Sequence, residues 1–225
     1  VADLRPAPDS LPVPDRWPAS ETLADWAMGA AMSRGADVVL RHCHVGEAAA
    51  RDRLSEFLED RVDAYKTRRD FPADDATSGL SENLAWGEIS PHRMWHQGRA
   101  AMQRGGQGAE TFLKELVWRE FAYHLLYHSP HIQTRSWREE WANFPWRQQD
   151  SARLAAWQRG QTGYGFVDAA MRELYVTGRM HNRARMIVAS FLTKHLMIHW
   201  KCGMNWFEQT LVDCHALSII ASWFF

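Results

Sequence analysis

From Gly46 onward the apolar residues recur at three- and four-residue steps, and nowhere do they alternate with period two for long enough to make a sheet. Leu54, Phe57, Leu58, Val62 and Tyr65 form one stripe, which predicts a helix over about 46–65. The period lapses over 71–84, where Pro72, Asp74, Asp75, Thr77, Ser78, Gly79 and Ser81 predict a polar loop. Ser90 before Pro91 is a helix start, with the hydroxyl capping and the proline placed where its missing N–H does no harm. That helix runs toward Met102 and closes at Gly105-Gly106. A strong helix over 110–128 carries Phe112, Leu116, Phe121, Leu125 and Leu126, and a turn-rich connection with Trp137, Trp141 and Trp146 follows it. Further helices are predicted over 152–159, ended by Gly160, and over 166–177, ended by Gly178. The longest is predicted over 180–199, with Met186, Ile187, Phe191, Leu192 and Leu196, and the last over 204–212. The expected fold class is all-α, multi-helical and without internal repeats.

The first 45 residues read differently. Pro6, Pro8, Pro12, Pro14 and Pro18 among small and charged residues predict an extended Pro-rich linker over 1–45, leading in from a domain before it. Residues 46–225 are then the helical domain, expected to be a C-terminally truncated piece, since the chain starts at a valine and stops abruptly on aromatics. Hydrophobic residues make up 46% and charged residues 24%, ordinary for a globular protein, and no apolar run is long enough to cross a bilayer. With no leader pattern, a cytoplasmic location is expected. Three cysteines without close pairing suggest reduced thiols, and His42-Cys43-His44 lacks a second ligand pair, so no metal is expected.

A net charge of −1 leaves no global footprint for nucleic acid, so any such binding has to be local. Arg172, Arg179, Arg183, Arg185, Lys194 and Lys201 fall in one stretch whose single acid is Glu173, which is either a basic patch or a solvated helix face. Twelve tryptophans suit stacking or electron transfer as well as core packing. Glu115, Trp118 and Arg119 share one helix face, a set able to stack on a ring and hold a phosphate, or equally a local Glu–Arg pair beside a packed Trp. Asn182, Arg185, Met186 and Ala189 share another face, with Arg183 to one side; an ordinary amphipathic helix explains the same pattern. Thr77-Ser78-Gly79-Leu80-Ser81 is a hydroxyl-rich turn that can ring a phosphate, though such turns are common.

Taken in order, these segments resemble the cryptochrome/photolyase family. The matching strings are Ala76-Thr77-Ser78 with Leu80-Ser81, Gly87-Glu88-Ile89-Ser90-Pro91, Leu116-Val117-Trp118-Arg119-Glu120-Phe121, Thr162-Gly163-Tyr164, Val167-Asp168-Ala169-Ala170-Met171-Arg172-Glu173-Leu174 and Met180-His181-Asn182-Arg183, continuing from Arg185 through Leu192. The resemblance is to a class I cyclobutane pyrimidine dimer photolyase. It implies a helical domain that binds FAD and repairs ultraviolet-damaged DNA by light-driven electron transfer, as a monomer with no membrane partner. It further implies FAD contacts from Tyr65, Thr77, Ser78, Gly79, Leu80, Ser81, Arg119, Asn182, Arg185 and Asp213, with Arg185 and Asp213 paired. Trp118 and Met186 would line the lesion pocket, Glu115 would hydrogen-bond the lesion, and Arg69 and Arg183 would lie near the DNA backbone. Trp146, Trp200 and Trp223 would carry electrons from the surface to the flavin.

Departures from that pattern fall at Gly79, where the family usually has arginine, at Phe112 and Arg179, where it has tryptophan, and at His215 and Ile219, where it has aspartate and asparagine. A second lesion-stacking tryptophan would fall at Phe225. A hydrophobic Ile219 offers no hydrogen bond to a flavin, so weak FAD binding is expected of the chain as it stands. Three readings stay open: a repair lyase, a cryptochrome-like photoreceptor, and a non-functional remnant.

Overall fold

The computed structural model describes the whole chain except residues 1, 7, 11, 31–34, 148–150 and 215–225. Among the described residues there are ten α-helices and no strand: α1 (Ala36–Leu40), α2 (Glu47–Glu56), α3 (Val62–Arg68), α4 (Ser81–Ala85), α5 (Pro91–Gln103), α6 (Ala109–His128), α7 (Ser151–Gln158), α8 (Gly165–Thr177), α9 (Asn182–Ser190) and α10 (Trp200–Thr210). A π turn at Phe57–Arg61 joins α2 to α3 into one long rod, and a second at Phe191–His195 extends α9.

Among the described residues two large apolar clusters hold the helices, and a small third gathers Leu125, Leu126 and Ile132. In the first, the stripe of α2 and α3 meets Met94 and Ala101 of α5 and Phe112, Leu113 and Leu116 of α6. The Phe57 ring stands 5.4 Å from Tyr65 and 5.0 Å from Phe112. Burial of the Tyr65 phenol pushes its pKa up to about 12. In the second, Trp157 of α7 is surrounded by Met171, Leu174, Val188, Leu192 and Phe207. A buried indole needs a partner for its N–H, and Trp157 Nε1 donates to the Val188 carbonyl at 3.0 Å. Truncating this side chain to alanine would cost about 3–5 kcal/mol, a large part of a domain's net stability.

Helix ends follow local chemistry. Ser90 Oγ accepts from the Arg93 N–H at 3.1 Å to start α5. Gly178, at φ 72°, ends α8 by donating to Leu174 O at 2.8 Å, a left-handed turn that glycine takes without a Cβ clash.

Elsewhere the boundaries differ from the pattern-based expectation. The loop predicted over 71–84 contains the start of α4, a helix too short to show a period, whose inward residues Glu82 and Asn83 are polar rather than apolar. Asn83 Nδ2 donates to His44 O at 2.8 Å and to Glu88 Oε2 at 2.7 Å, tying α4 to the start of α2. The long helix predicted over 180–199 is two: it breaks at Met197, which sits at φ 55°, and α10 begins at Trp200, four residues before the predicted start at 204. Both new starts are capped by histidine, a residue that preference rules do not flag. His181 Nδ1 accepts from Arg183 N at 3.2 Å and His199 Nδ1 from Lys201 N at 3.1 Å. Within the segment predicted as linker, a 3₁₀ turn forms at Leu23–Trp26, and α1 packs against α8 with Val39 buried.

The segment between α3 and α5 joins the two clusters. Trp86 Nε1 donates to Val212 O at 2.8 Å, and ion pairs run from Asp70 to Arg183 and from Glu82 to Arg179.

Candidate functional site

At the hydroxyl turn 77–81, two arginines reach in from different elements. Arg53 of α2 donates through Nε to Ser78 O at 2.8 Å, and Arg179, just after α8, donates through Nη2 to Gly79 O at 2.9 Å. Gly79 is at φ 58°, and a Cβ there would stand 2.2 Å from Arg53 Nη2, so the guanidinium fills the space a larger residue would need. Arg179 Nε also lies 3.0 Å from Glu82 Oε2. Burial raises the Glu82 pKa against the pull of Arg179 and Arg53. Burial lowers that of Arg53, with the charge of Arg179 adding to it. In a planar trans peptide the C=O and N–H point opposite ways, so holding the Ser78 and Gly79 carbonyls turns the Gly79 and Leu80 N–H groups to the far side.

Beside the second cluster, Arg185 of α9 and Asp213 are both buried, with Arg185 Nη2 donating to Asp213 Oδ2 at 2.8 Å and Nε to Met180 O at 2.8 Å. Asn182, one turn earlier on α9, is exposed. Arg119 of α6 donates to Glu120 Oε1 at 2.9 Å and Tyr123 Oη at 3.0 Å, its guanidinium 4.6 Å from the Tyr123 ring.

A third group gathers residues from the turn just past α3, from α6 and from α9. Arg69 Nη1 donates to Glu115 Oε1, and Arg69 Nε lies 3.7 Å from Asp70 Oδ1. The same Asp70 oxygen accepts from Arg183 through Nε and Nη2, each at 2.8 Å. Arg183 Nη1 in turn donates to Met186 Sδ at 3.4 Å. Trp118 is 55% exposed, one turn along α6 from Glu115, with its ring 5.7 Å edge-on to Phe121. The local Glu115–Arg119 pair that the spacing allowed is not the arrangement found: Glu115 pairs with Arg69, and Arg119 turns to Glu120 and Tyr123.

A fourth group is aromatic. The His199 ring stands 5.2 Å from Trp146 and 5.4 Å from Trp200, and Trp200 Nε1 donates to Ser136 Oγ at 3.2 Å. Burial lowers the His199 pKa, helped by the charge of Lys201. Trp223, His215, Ile219 and Phe225 lie outside the described residues.

Arg53, Asp70, Glu82 and His199 went unnoticed in the sequence reading. Arg53 looks like any polar residue of an amphipathic helix, and Glu82 becomes visible only once α4 is known to form. Asp70, directly after Arg68-Arg69, was the one with a signal, an acid closing a basic run.

The description "FAD binding domain of DNA photolyase" fits residues 112–225. A deoxyribodipyrimidine photo-lyase of Agrobacterium fabrum is 45% identical over 217 residues, covering 96% of this chain and 45% of that protein. The crystal structure of a bacterial class III photolyase from Agrobacterium tumefaciens superposes with a TM-score of 0.86 at 44% identity, over 95% of this chain and 44% of that one. A Synechocystis cryptochrome structure gives a TM-score of 0.74 at 33% identity, over 81% of this chain and 40% of its own. The chain therefore spans less than half the length of these relatives.

Proposed function

The chain belongs to the FAD-binding domain family of DNA photolyases, and from that membership we propose that it is the flavin-holding part of an enzyme that splits cyclobutane pyrimidine dimers in ultraviolet-damaged DNA. In this reading residues 46–225 form the FAD- and DNA-binding unit and 1–45 its lead-in. The class III crystal structure, at 44% identity, supports that branch of the family over class I.

The donor set suits FAD. Hydroxyls of Thr77, Ser78 and Ser81, with the outward N–H groups of Gly79 and Leu80, suit phosphate oxygens. Asn182 offers both a donor and acceptor to a heterocycle edge, and Arg119 offers a planar cation. The Arg185–Asp213 pair supplies a fixed, buried dipole, and Tyr65 closes the apolar side. Bound and reduced, FAD would supply on excitation the electron that opens the dimer.

What this chain's residues add is access and position. A dimer has to leave the stack to be reached, and Trp118 offers an exposed face for an extruded base to stack on. Glu115 accepts from a base edge, Met186 fills the pocket wall, and Arg69 and Arg183 meet phosphates, which holds the duplex without reading sequence. Trp146, Trp200 and Trp223 serve reduction of the flavin. The observation that carries this reading is the continuous set Glu115, Arg69, Asp70, Arg183 and Met186, assembled from three elements beside exposed Trp118.

The test is to load the protein with FAD and compare its affinity for duplexes with and without a single thymine dimer, followed by blue light. Tighter binding to the dimer duplex and its conversion to intact thymines are expected. Flavin held without preference for the dimer would make the chain cryptochrome-like, and no flavin held would make it a remnant. The expectation of weak FAD binding attaches to His215 and Ile219, outside the described residues.

A further inference from the structure

The basic stretch of the sequence is not a free basic patch. Arg179 pairs with Glu82, Arg185 with Asp213, and Arg183 with Asp70, so three of its six cations are matched by acids from elsewhere in the chain. The set nearest the proposed DNA face is the most balanced: Glu115, Arg69, Asp70 and Arg183 alternate in sign and sum to zero. Asp70 sits in the middle. One of its oxygens takes two hydrogen bonds from Arg183 at 2.8 Å and faces Arg69 Nε at 3.7 Å, so it occupies donors that a DNA phosphate would otherwise take. Asp70 is also half exposed, so an incoming phosphate can reach it and is repelled by it.

We propose that Asp70 is a built-in competitor of the DNA backbone: it occupies Arg183 and Arg69 in the free protein and thereby holds down sequence-independent binding. This rests on the reading of Arg69 and Arg183 as phosphate contacts. Its consequence follows from counterion release, because affinity for any duplex grows with the number of phosphates a protein neutralises, and an arginine already matched by a carboxylate neutralises less. With a net charge of −1 and this clamp in place, the protein is weakly attracted to intact duplex and depends on Trp118 and Glu115 to hold a lesion. Intact sites vastly outnumber lesions, so weak general binding shortens the search.

The experiment is a double-mutant cycle on DNA affinity, using undamaged duplex across a salt series. Asp70→Asn keeps the shape and removes the charge. It is expected to raise affinity about fivefold at low salt, the upper worth of an exposed ion pair, and to steepen the log–log salt slope by about 0.9, one phosphate more. Arg183→Gln is expected to weaken binding, and in the double variant the Asp70→Asn gain should shrink, because Arg183 makes the two close contacts with Asp70 at 2.8 Å and Arg69 only one at 3.7 Å. A merely structural Asp70 would change the melting temperature and leave the salt slope as it was. Unchanged or weakened binding in Asp70→Asn, with Arg183→Gln still weakening it, overturns the competitor role and leaves the phosphate reading standing. No effect of Arg183→Gln overturns both.

Discussion

Trp118 stands exposed on α6, within one turn of Glu115, and stacking on an extruded base is the contact its flat face is suited to make. Trp118→Ala is therefore expected to weaken binding to dimer-containing duplex by about 1–3 kcal/mol while leaving undamaged duplex nearly unaffected, as read by paired titrations. Equal losses on both would return Trp118 to a packing role. At the buried Arg185–Asp213 pair the stakes are reversed. Asp213→Ala leaves Arg185 as a buried cation without its carboxylate, and breaking such a pair costs about 3–5 kcal/mol; urea unfolding should show a loss of that size, and a loss under about 1 kcal/mol would mean water relieves the charge. Single residues were legible in the sequence where they stood in contiguous strings, as Arg185 and Trp118 do. Arg53 and Asp70 were not, because each acts on a partner far along the chain, 25 residues on at Ser78 and 113 on at Arg183.

At the scale of elements, α8 shows how a loop and a helix fix each other. Asp168 in its first turn accepts from Thr162 Oγ1 at 2.6 Å, Thr162 N at 2.7 Å and Gly163 N at 2.9 Å. Burial alone would raise its pKa, but these hydrogen bonds and the charge of Arg172 outweigh it and hold the carboxyl below its ordinary 3.8. A depressed carboxylate stabilises the fold above its unfolded value and loses that contribution as pH falls through the folded one. Asp168→Asn should therefore lower the melting temperature at about pH 7, and the gap to the parent protein should narrow below about pH 3.8, where the parent loses its advantage. An equal gap at about pH 7 and about pH 3 would mean the charge contributes nothing. Helices such as α5, α6 and α8 were readable because apolar period, caps and glycine stops agreed. The break at Met197 and the helix α4 were not, since one needs a left-handed non-glycine residue and the other buries acid and amide side chains that only His44, Glu88 and Arg179 make tolerable.

Across the whole molecule, the two larger apolar clusters are joined by polar contacts: Asp70 and Arg183 pair there, as do Glu82 and Arg179, while Tyr65 belongs to the first core and the Arg185–Asp213 pair is buried beside the second. The all-helical architecture was legible from period alone; how its halves meet was not, because ion pairs between distant segments leave no periodic trace. The aromatic run Trp146, His199, Trp200 lies along α10's start, on the second cluster's side. Trp200→Phe is expected to slow flavin photoreduction while leaving flavin binding in the dark unchanged, and an unaltered photoreduction rate would remove Trp200 from the electron path.

The most direct measurement is the visible absorption of the 225-residue chain after incubation with excess FAD and gel filtration. Flavin travelling with the folded chain at less than one per chain, as Ile219 and His215 imply, and its loss in Asp213→Ala kept folded at low temperature, is the predicted result; a folded chain that elutes colourless contradicts the account.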